Sequence, residues 1–385
     1  MATNTDIPQG YKATALGIIP QEWEVMLLGN LSNSISSGRN KHRDANGQYP
    51  VFGSTGIIGY SSTYEYEGPV ILVARVGANA GTLNFASGQY DVSDNTLIIT
   101  IKQNVYDYNF AYNQLTHYKL NKLVFGSGQP LITSKQLKNI RIPVPPLAEQ
   151  RKIAEVLGVW DEAIEKQARL IEKLALRKRA LMQRLLSAKL RLPGFSEPWK
   201  THKLQELFTE RNETNRTDLP LLSITGDRGV ILQTESEKRD TSNDDKSKYK
   251  RIAKGDIGYN TMRMWQGRSA LSGLEGIVSP AYTIVVPNTD VDGYYMSVLF
   301  KQPRLIYDFW THSQGLVGDT LNCKYRDFGQ VHICCPPLAE QKAITEVLTA
   351  ADREIELAKE KLERLRRQKR GLMQQLLTCK KRVKY

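Results

Sequence analysis

Apolar residues between positions 145 and 192 recur on a seven-residue period, with Ile164, Ile171 and Leu185 on one heptad position and Leu174 and Leu181 on the other. A second stretch, 336 to 383, repeats the pattern with Ile355, Leu362 and Leu376, then Ala358, Leu365 and Leu372. A stripe this narrow cannot cover a globular core, but it suits the seam of a coiled coil. Each stretch opens on a proline pair, a good first turn for a helix, and Glu149 and its counterpart Glu340 lie where a carboxylate favours a helix N-terminus. A break is expected near Gly158. Lys178 and Lys369 take a seam position where an apolar residue would be expected. They either fix the register of the pair or reach from the seam edge to water. Two helices separated by a whole domain can pair antiparallel, and that is the expected arrangement.

The remaining chain alternates on shorter periods. PVILVARVG (69 to 77), NTLIITIK (95 to 102), NIRIPV (139 to 144), YTIVVP (282 to 287) and GQVHIC (329 to 334) read as strands. Segments 107 to 123 and 292 to 309 carry helical periodicity. The glycine-rich stretches GSTGIIG from Gly53 and GSGQP from Gly126 read as loops, as does TESEKRDTSNDDKSKYK around Asp244 and Asp245. The expected class is mixed α/β, with two globular regions and two long helices.

The helical stretches are copies of one another. Aligned without a gap at a constant offset of 191, they agree at 24 of 48 positions, far beyond chance. A fainter echo precedes each globular region, around Trp23 and Trp199. The chain therefore divides into a first globular domain (1–144), a first helical segment (145–192), a second globular domain (193–335) and a second helical segment (336–385), a pseudo-twofold repeat. Within it the helices stay alike while the globular parts differ.

Charge follows the repeat. The formal net charge is +13 over 385 residues; the globular regions carry +2 and 0, the helical segments +5 and +6. A solvated coiled-coil surface, nearby phosphates and an acidic protein partner would each explain this bias. No apolar run is long enough to span a bilayer and the N-terminus lacks a secretory pattern, so a cytoplasmic protein is expected. The four cysteines, Cys323, Cys334, Cys335 and Cys379, form no C-x-x-C pair, which argues against structural zinc or a disulfide framework.

Catalytic signatures are missing from the sequence. It contains no G-x4-G-K-[ST] phosphate loop, no N-P-P-[YF] or D-P-P-Y tetrapeptide and no F-x-G-x-G cofactor loop; Phe52-Gly53-Ser54 and Phe125-Gly126-Ser127 have the wrong spacing and read as turns. His42, His117, His202, His312 and His332 are scattered without a metal or triad spacing. A chain without catalytic or metal residues is expected.

Two unlike α/β regions, each closed by a helix that opens with PPLAEQ and ends in LMQ-x-LL, resemble the specificity subunit of type I restriction-modification systems. The segment GYKATALGIIPQEWEVMLLGNL also resembles the start of that family's chains. The resemblance implies that each variable region is a target recognition domain reading one half-site of double-stranded DNA. It implies that the helices space these domains and dock two methyltransferase subunits, and through them restriction subunits. S-adenosylmethionine, ATP and magnesium would then belong to the partners alone. By residue type, the DNA-facing candidates are Arg39, Lys41, Arg43, Arg75 and Asn79 in the first domain. In the second they are Arg263, Trp265, Gln266, Arg268, Lys324 and Arg326; arginine suits guanine and amides suit adenine in the major groove. Matched positions in the two repeats, Leu147 with Leu338 and Glu149 with Glu340, are the partner-docking candidates. Two competing readings are a coiled-coil scaffold without sequence preference, and an enzyme in its own right.

Overall fold

A computed structural model describes residues 7–41, 43–125, 130–226, 228–236, 243–315 and 321–384. His42, most of GSGQP and all of the segment 237–242 in the charged stretch lie outside these residues. The chain forms two compact units, Met1–Leu170 with Ala358–Tyr385, and Ile171–Leu357. They differ from the linear segments expected above, because each long helix gives its first half to one unit and its second half to the other.

In the first unit the four-stranded antiparallel sheet runs in the order Ser32–Ser37, Thr96–Ile101, Val70–Ala74, Leu83–Ala86. Val70–Ala74 is a continuous apolar run because both its faces are buried. A second sheet joins Gly56–Ser61, Tyr49–Gly53, Gln89–Val92 and Tyr66–Glu67, with one parallel pairing. The stretch expected as a loop from Gly53 is thus a hairpin: Gly53 pairs with Gly56 across Ser54 and Thr55, and Gly56, just after the two central residues, takes a positive φ of 98° that glycine adopts without strain. Helix Tyr108–Tyr118 begins where Asp107 accepts the Phe110 N–H, an N-cap. Trp23, Ile71, Ile99, Phe110 and Leu157 form the core, joined by Met373 and Leu376 from the end of the second long helix.

The second unit centres on an antiparallel sheet ordered Phe208–Glu210, Tyr282–Pro287, Ile257–Asn260, Ser269–Leu271. Phe208, Phe300, Phe309 and Phe328 pack ring to ring at centroid distances of 5.6 to 5.9 Å, except that Phe208 and Phe309 are linked through the other two. The expected helix over 292 to 309 is two, Gly293–Leu299 and Pro303–His312, because Pro303 cannot continue the first but starts the second.

The long helices span Leu147–Leu185 and Leu338–Leu376, 39 residues each. No break occurs at Gly158: an added Cβ there would meet nothing within 4 Å, and an interior glycine costs only about 1 kcal/mol. The helices pair antiparallel in both units. In the first, Lys369 reaches Asp161 and the Gln167 amide donates to the Ala358 carbonyl at 3.0 Å; in the second, Lys178 reaches Asp352 and Arg177 reaches Glu354. Leu174, Leu185, Leu362 and Leu376 are buried in this seam or at its ends, while Ile164, Ile171, Leu181, Ile355, Leu365 and Leu372 are half-buried. Both seam lysines therefore cross to an aspartate of the opposite helix, and both aspartates are repeat equivalents.

Candidate nucleic-acid interface

Each PPLAEQ motif turns inward. Glu149 is fully buried and accepts the Trp23 indole N–H at 3.0 Å and two Arg382 N–H groups at 3.0 and 2.8 Å. Glu340, 1% exposed, accepts two N–H groups of Arg191 at 2.6 and 2.8 Å and the Trp199 indole at 3.2 Å. Burying a bare carboxylate is prohibitive, and the planar guanidinium fork is the side chain that offsets it with two charge-assisted bonds. The adjacent glutamines are duplicated too. Gln150 accepts from Asp107 N and donates to the Val105 and Pro145 carbonyls. Gln341 accepts from Asp292 N and donates to the Asp290 and Pro336 carbonyls.

These contacts correct the docking assignment of the glutamates. Glu149 and Glu340 are unavailable to a partner because their oxygens are spent inside the chain, where they lock a globular region to a helix start and to the tail of the other repeat. Leu147 and Leu338 remain half-buried. The signal was present in the sequence, since Arg191 and Arg382 match at the same offset of 191 and each globular region begins with a tryptophan.

In the second unit, Arg263 and Arg268 flank the short turn Met264–Gln266 and line a cleft of about 590 Å³. Arg228, Asn260, Thr225 and Tyr282 also line it. Arg263, Gln266 and Arg268 are exposed, and neither of these arginines has an ion-pair partner among the described residues. Trp265 is half-buried and its indole donates to the Met262 carbonyl at 3.0 Å, so it braces the loop. Lys324 and Arg326 line a second cleft of about 540 Å³ with Lys250, Met262 and Asn322. The Asn322 Oδ1 is buried there with no hydrogen-bond partner among the described residues. The segment from Asn260 to Arg263 contributes to both clefts. The structure thus places Arg263 with Arg268 in one cleft and Lys324 with Arg326 in another, and adds Arg228, Asn260 and Lys250, which residue type alone did not select.

The first unit presents two loops. Arg39, Lys41 and Arg43 are exposed, Arg39 lying 4.0 Å from Glu65 and Arg43 against Gly59. Asn79 is exposed on the other loop, while Arg75 is half-buried with its Nε lacking a partner among the described residues. Both loops hang from the turn after Val92: Gly38 N donates to Thr96 O, Asn40 N to Val92 O and Arg75 N to Asn95 O, each at 2.9 Å. Exposed Tyr60 and Tyr64 stand beside the first loop, whose Asp44 N donates to Tyr60 O. These aromatics escaped the sequence reading because they sit in what was expected to be, or to adjoin, a plain glycine loop.

Among the described residues no group of three or more His, Cys, Asp or Glu side chains could hold a metal ion, and no helix is long and apolar enough to cross a membrane.

Residues 20–175 match the family model described as the type I restriction modification DNA specificity domain. The chain is 25% identical to the type I restriction enzyme MjaVIII specificity subunit of Methanocaldococcus jannaschii, over 95% of this chain and 94% of that one. It is 26% identical to the provisionally assigned MjaX specificity subunit of the same organism, covering 98% and 97%. Its fold is similar to the crystal structure of the type I restriction-modification S subunit from M. genitalium, with a TM-score of 0.59, 16% identity and coverage of 92% and 96%. A chain from a structural study of type I complex assembly and conformational transition matches with a TM-score of 0.55, 17% identity and coverage of 93% and 98%.

Proposed function

We propose that this chain is a member of the type I restriction-modification specificity family, to which its matches point, and that it reads a bipartite double-stranded DNA target while its helices dock two methyltransferase subunits. Restriction subunits join through them. The observation that carries this reading is the duplicated latch: Glu149 with Arg382 and Trp23, Glu340 with Arg191 and Trp199, holding two dissimilar globular regions to equivalent helices. A scaffold would need no unlike domains. A reader of two different half-sites needs a constant frame and variable loops.

Base reading falls to the polar groups around the clefts and loops. In the second unit, Arg263 and Arg268 can each present two N–H groups to the O6 and N7 of guanine, and Asn260 or Gln266 can do the same for adenine. Lys250, Lys324 and Arg326 suit phosphates, which fix register without reading sequence. In the first unit, Arg39, Lys41 and Arg43 form one contact loop and Arg75 and Asn79 the other. The chain takes no cofactor and performs no bond chemistry; methyl transfer and DNA cleavage, with S-adenosylmethionine, ATP and magnesium, belong to its partners. It works in the cytoplasm, where its DNA is.

The test is to co-express the chain with its methyltransferase subunit and map methylated positions on plasmid DNA. Methylation at a two-part sequence with an unspecified gap supports the reading. Methylation at one undivided sequence, or methyl transfer by the purified chain alone, would overturn it.

A further inference from the structure

From Gly38 to Lys41 the first unit's chain alternates between inside and outside. Gly38 is buried and Asn40 half-buried, while Arg39 and Lys41 are exposed, because extended backbone sends successive side chains to opposite faces. The inward positions rest on the end of the strand Gln89–Val92 and on the turn that follows it. The N–H groups of Arg39 and Asn40 both donate to the Val92 carbonyl, at 3.0 and 2.9 Å, and Asn40 bridges to Ser93. At Gly38 an added Cβ would lie 2.4 Å from that carbonyl oxygen, so the backbone passes where only glycine fits.

One side chain fastens this segment. Asp91 is 6% exposed; one of its oxygens accepts the Val92 N–H at 2.9 Å and the other accepts an amide N–H of Asn40. The buried carboxylates Glu149, Glu340 and Asp256 each meet an arginine fork, whereas Asp91 has no cation partner among the described residues. A buried carboxylate without a cation is a costly peg if any polar side chain would serve. What it adds is a stronger acceptor for the Asn40 amide than a neutral oxygen would be. The adjoining turn is under-bonded as well. Ser93 Oγ and Thr96 Oγ1, with Arg75 Nε beside them, are buried without a partner among the described residues, atoms that a base built for stability alone would pair.

The far end of the loop is held separately: Asp44 N donates to the Tyr60 carbonyl at 2.8 Å, and Gly59 packs against the Arg43 side chain. Between these anchors the backbone is fixed and the charged heads are free to reach outward, Arg39 meeting Glu65 only at 4.0 Å.

We infer that Asp91 is the positioning residue of this contact loop: it touches no DNA, but by holding Asn40 it aims Arg39 and Lys41, on either side, at one half-site. The inference rests on the DNA reading proposed above. A guanidinium discriminates guanine through two N–H groups that must arrive together, while a phosphate takes the same charge from many directions. A loop that swings therefore loses base discrimination before it loses affinity.

The full-length chain co-expressed with its methyltransferase subunit tests this on plasmids carrying the target or its single-base substitutions. The readout is the preference for the cognate base at each position of both half-sites. Asp91→Asn leaves one N–H facing another whichever way the new amide turns, and should lower the preference about tenfold within one half-site. That half-site should be the one Arg39→Ala alters, with the other unchanged. Asn40→Ala, which leaves the buried residue in place, should act alike, as should Asn40→Asp, which sets two carboxylates together. Asp91→Asn combined with Asn40→Asp exchanges donor and acceptor and should restore the preference. Hydrogen exchange in the peptides around Val70–Ala74 should match wild type throughout. Unchanged preference in Asp91→Asn and Asn40→Ala overturns the inference, as does a double variant no better than either single one. A uniform fall in methylation with preference retained, or raised exchange across the unit, would make Asp91 merely structural and overturns it too. A wild-type chain that directs no methylation to a two-part site, or an Arg39→Ala variant with both half-sites unaltered, would instead overturn the function from which the inference proceeds.

Discussion

Replacing Arg382 by alanine removes the guanidinium from Glu149 and leaves that carboxylate, fully buried, with the Trp23 indole as its remaining side-chain donor. Removing one partner of a buried ion pair costs about 3–5 kcal/mol, because the other charge stays desolvated. The Arg382 side chain is 30% exposed, so water can enter the space it leaves, and the low end, about 3 kcal/mol, is expected. For a unit of this size each kcal/mol shifts the melting temperature by about 2–4 °C, so the first unit should melt roughly 6–12 °C lower. Hydrogen exchange followed by mass spectrometry is the assay, since two units need not unfold together. Protection should fall in the peptides around Trp23 and 149 to 157, with little change in those around Trp199 and 340 to 348. Arg191→Ala should give the mirror result. If Arg382→Ala left the exchange of the first unit unchanged, the latch would not hold that unit together.

Three further outcomes follow from the same geometry. Arg263→Ala or Arg268→Ala should relax base discrimination in one half-site by about 1–3 kcal/mol per lost bidentate contact, and methylation mapping should show the other half-site unaltered. Burial pushes the Cys323 and Cys335 thiols up to about 12 and about 11; with the native fold intact, a thiolate-selective reagent at neutral pH should label exposed Cys334 first, as peptide mapping would reveal. Glu22 is held below the usual carboxylate range by a backbone hydrogen bond and by Arg382. Its contribution is therefore complete above the ordinary carboxylate pKa and lost as pH falls through the lowered value, and Glu22→Gln should flatten that acid limb of the melting curve.

The long helices and their pairing were legible because a heptad stripe needs only local spacing, and because the repeat states the pattern twice. Gly158 misled for a local reason as well: inside a helix its cost is small beside the packing of a 39-residue helix. Strands such as Val70–Ala74 and Tyr282–Pro287 were recovered from their apolar runs, but the hairpin at Gly53–Gly56 was hidden behind its glycines. The site was less legible than the fold. Arg263 and Arg268 were selected by type, yet Asn260, just before Arg263, was passed over, and Arg228, between the paired strands Leu222–Ile224 and Val230–Leu232, joins their cleft only through the fold. The role of Glu149 was missed because its partners lie 126 and 233 residues away in sequence. Identity between repeats marked it as important without saying whether it faced a partner or the chain itself; burial settled the direction.

Whether two unlike reading heads sit on one repeated frame is tested most directly by exchanging residues 20 to 144 for the corresponding region of a relative, co-expressing the chimaera with the methyltransferase subunit, and mapping methylated bases. The expected target has one half-site new and the other kept. A chimaera that assembles with two methyltransferase copies and still recognises the original target in full, or one with both halves altered, would contradict it.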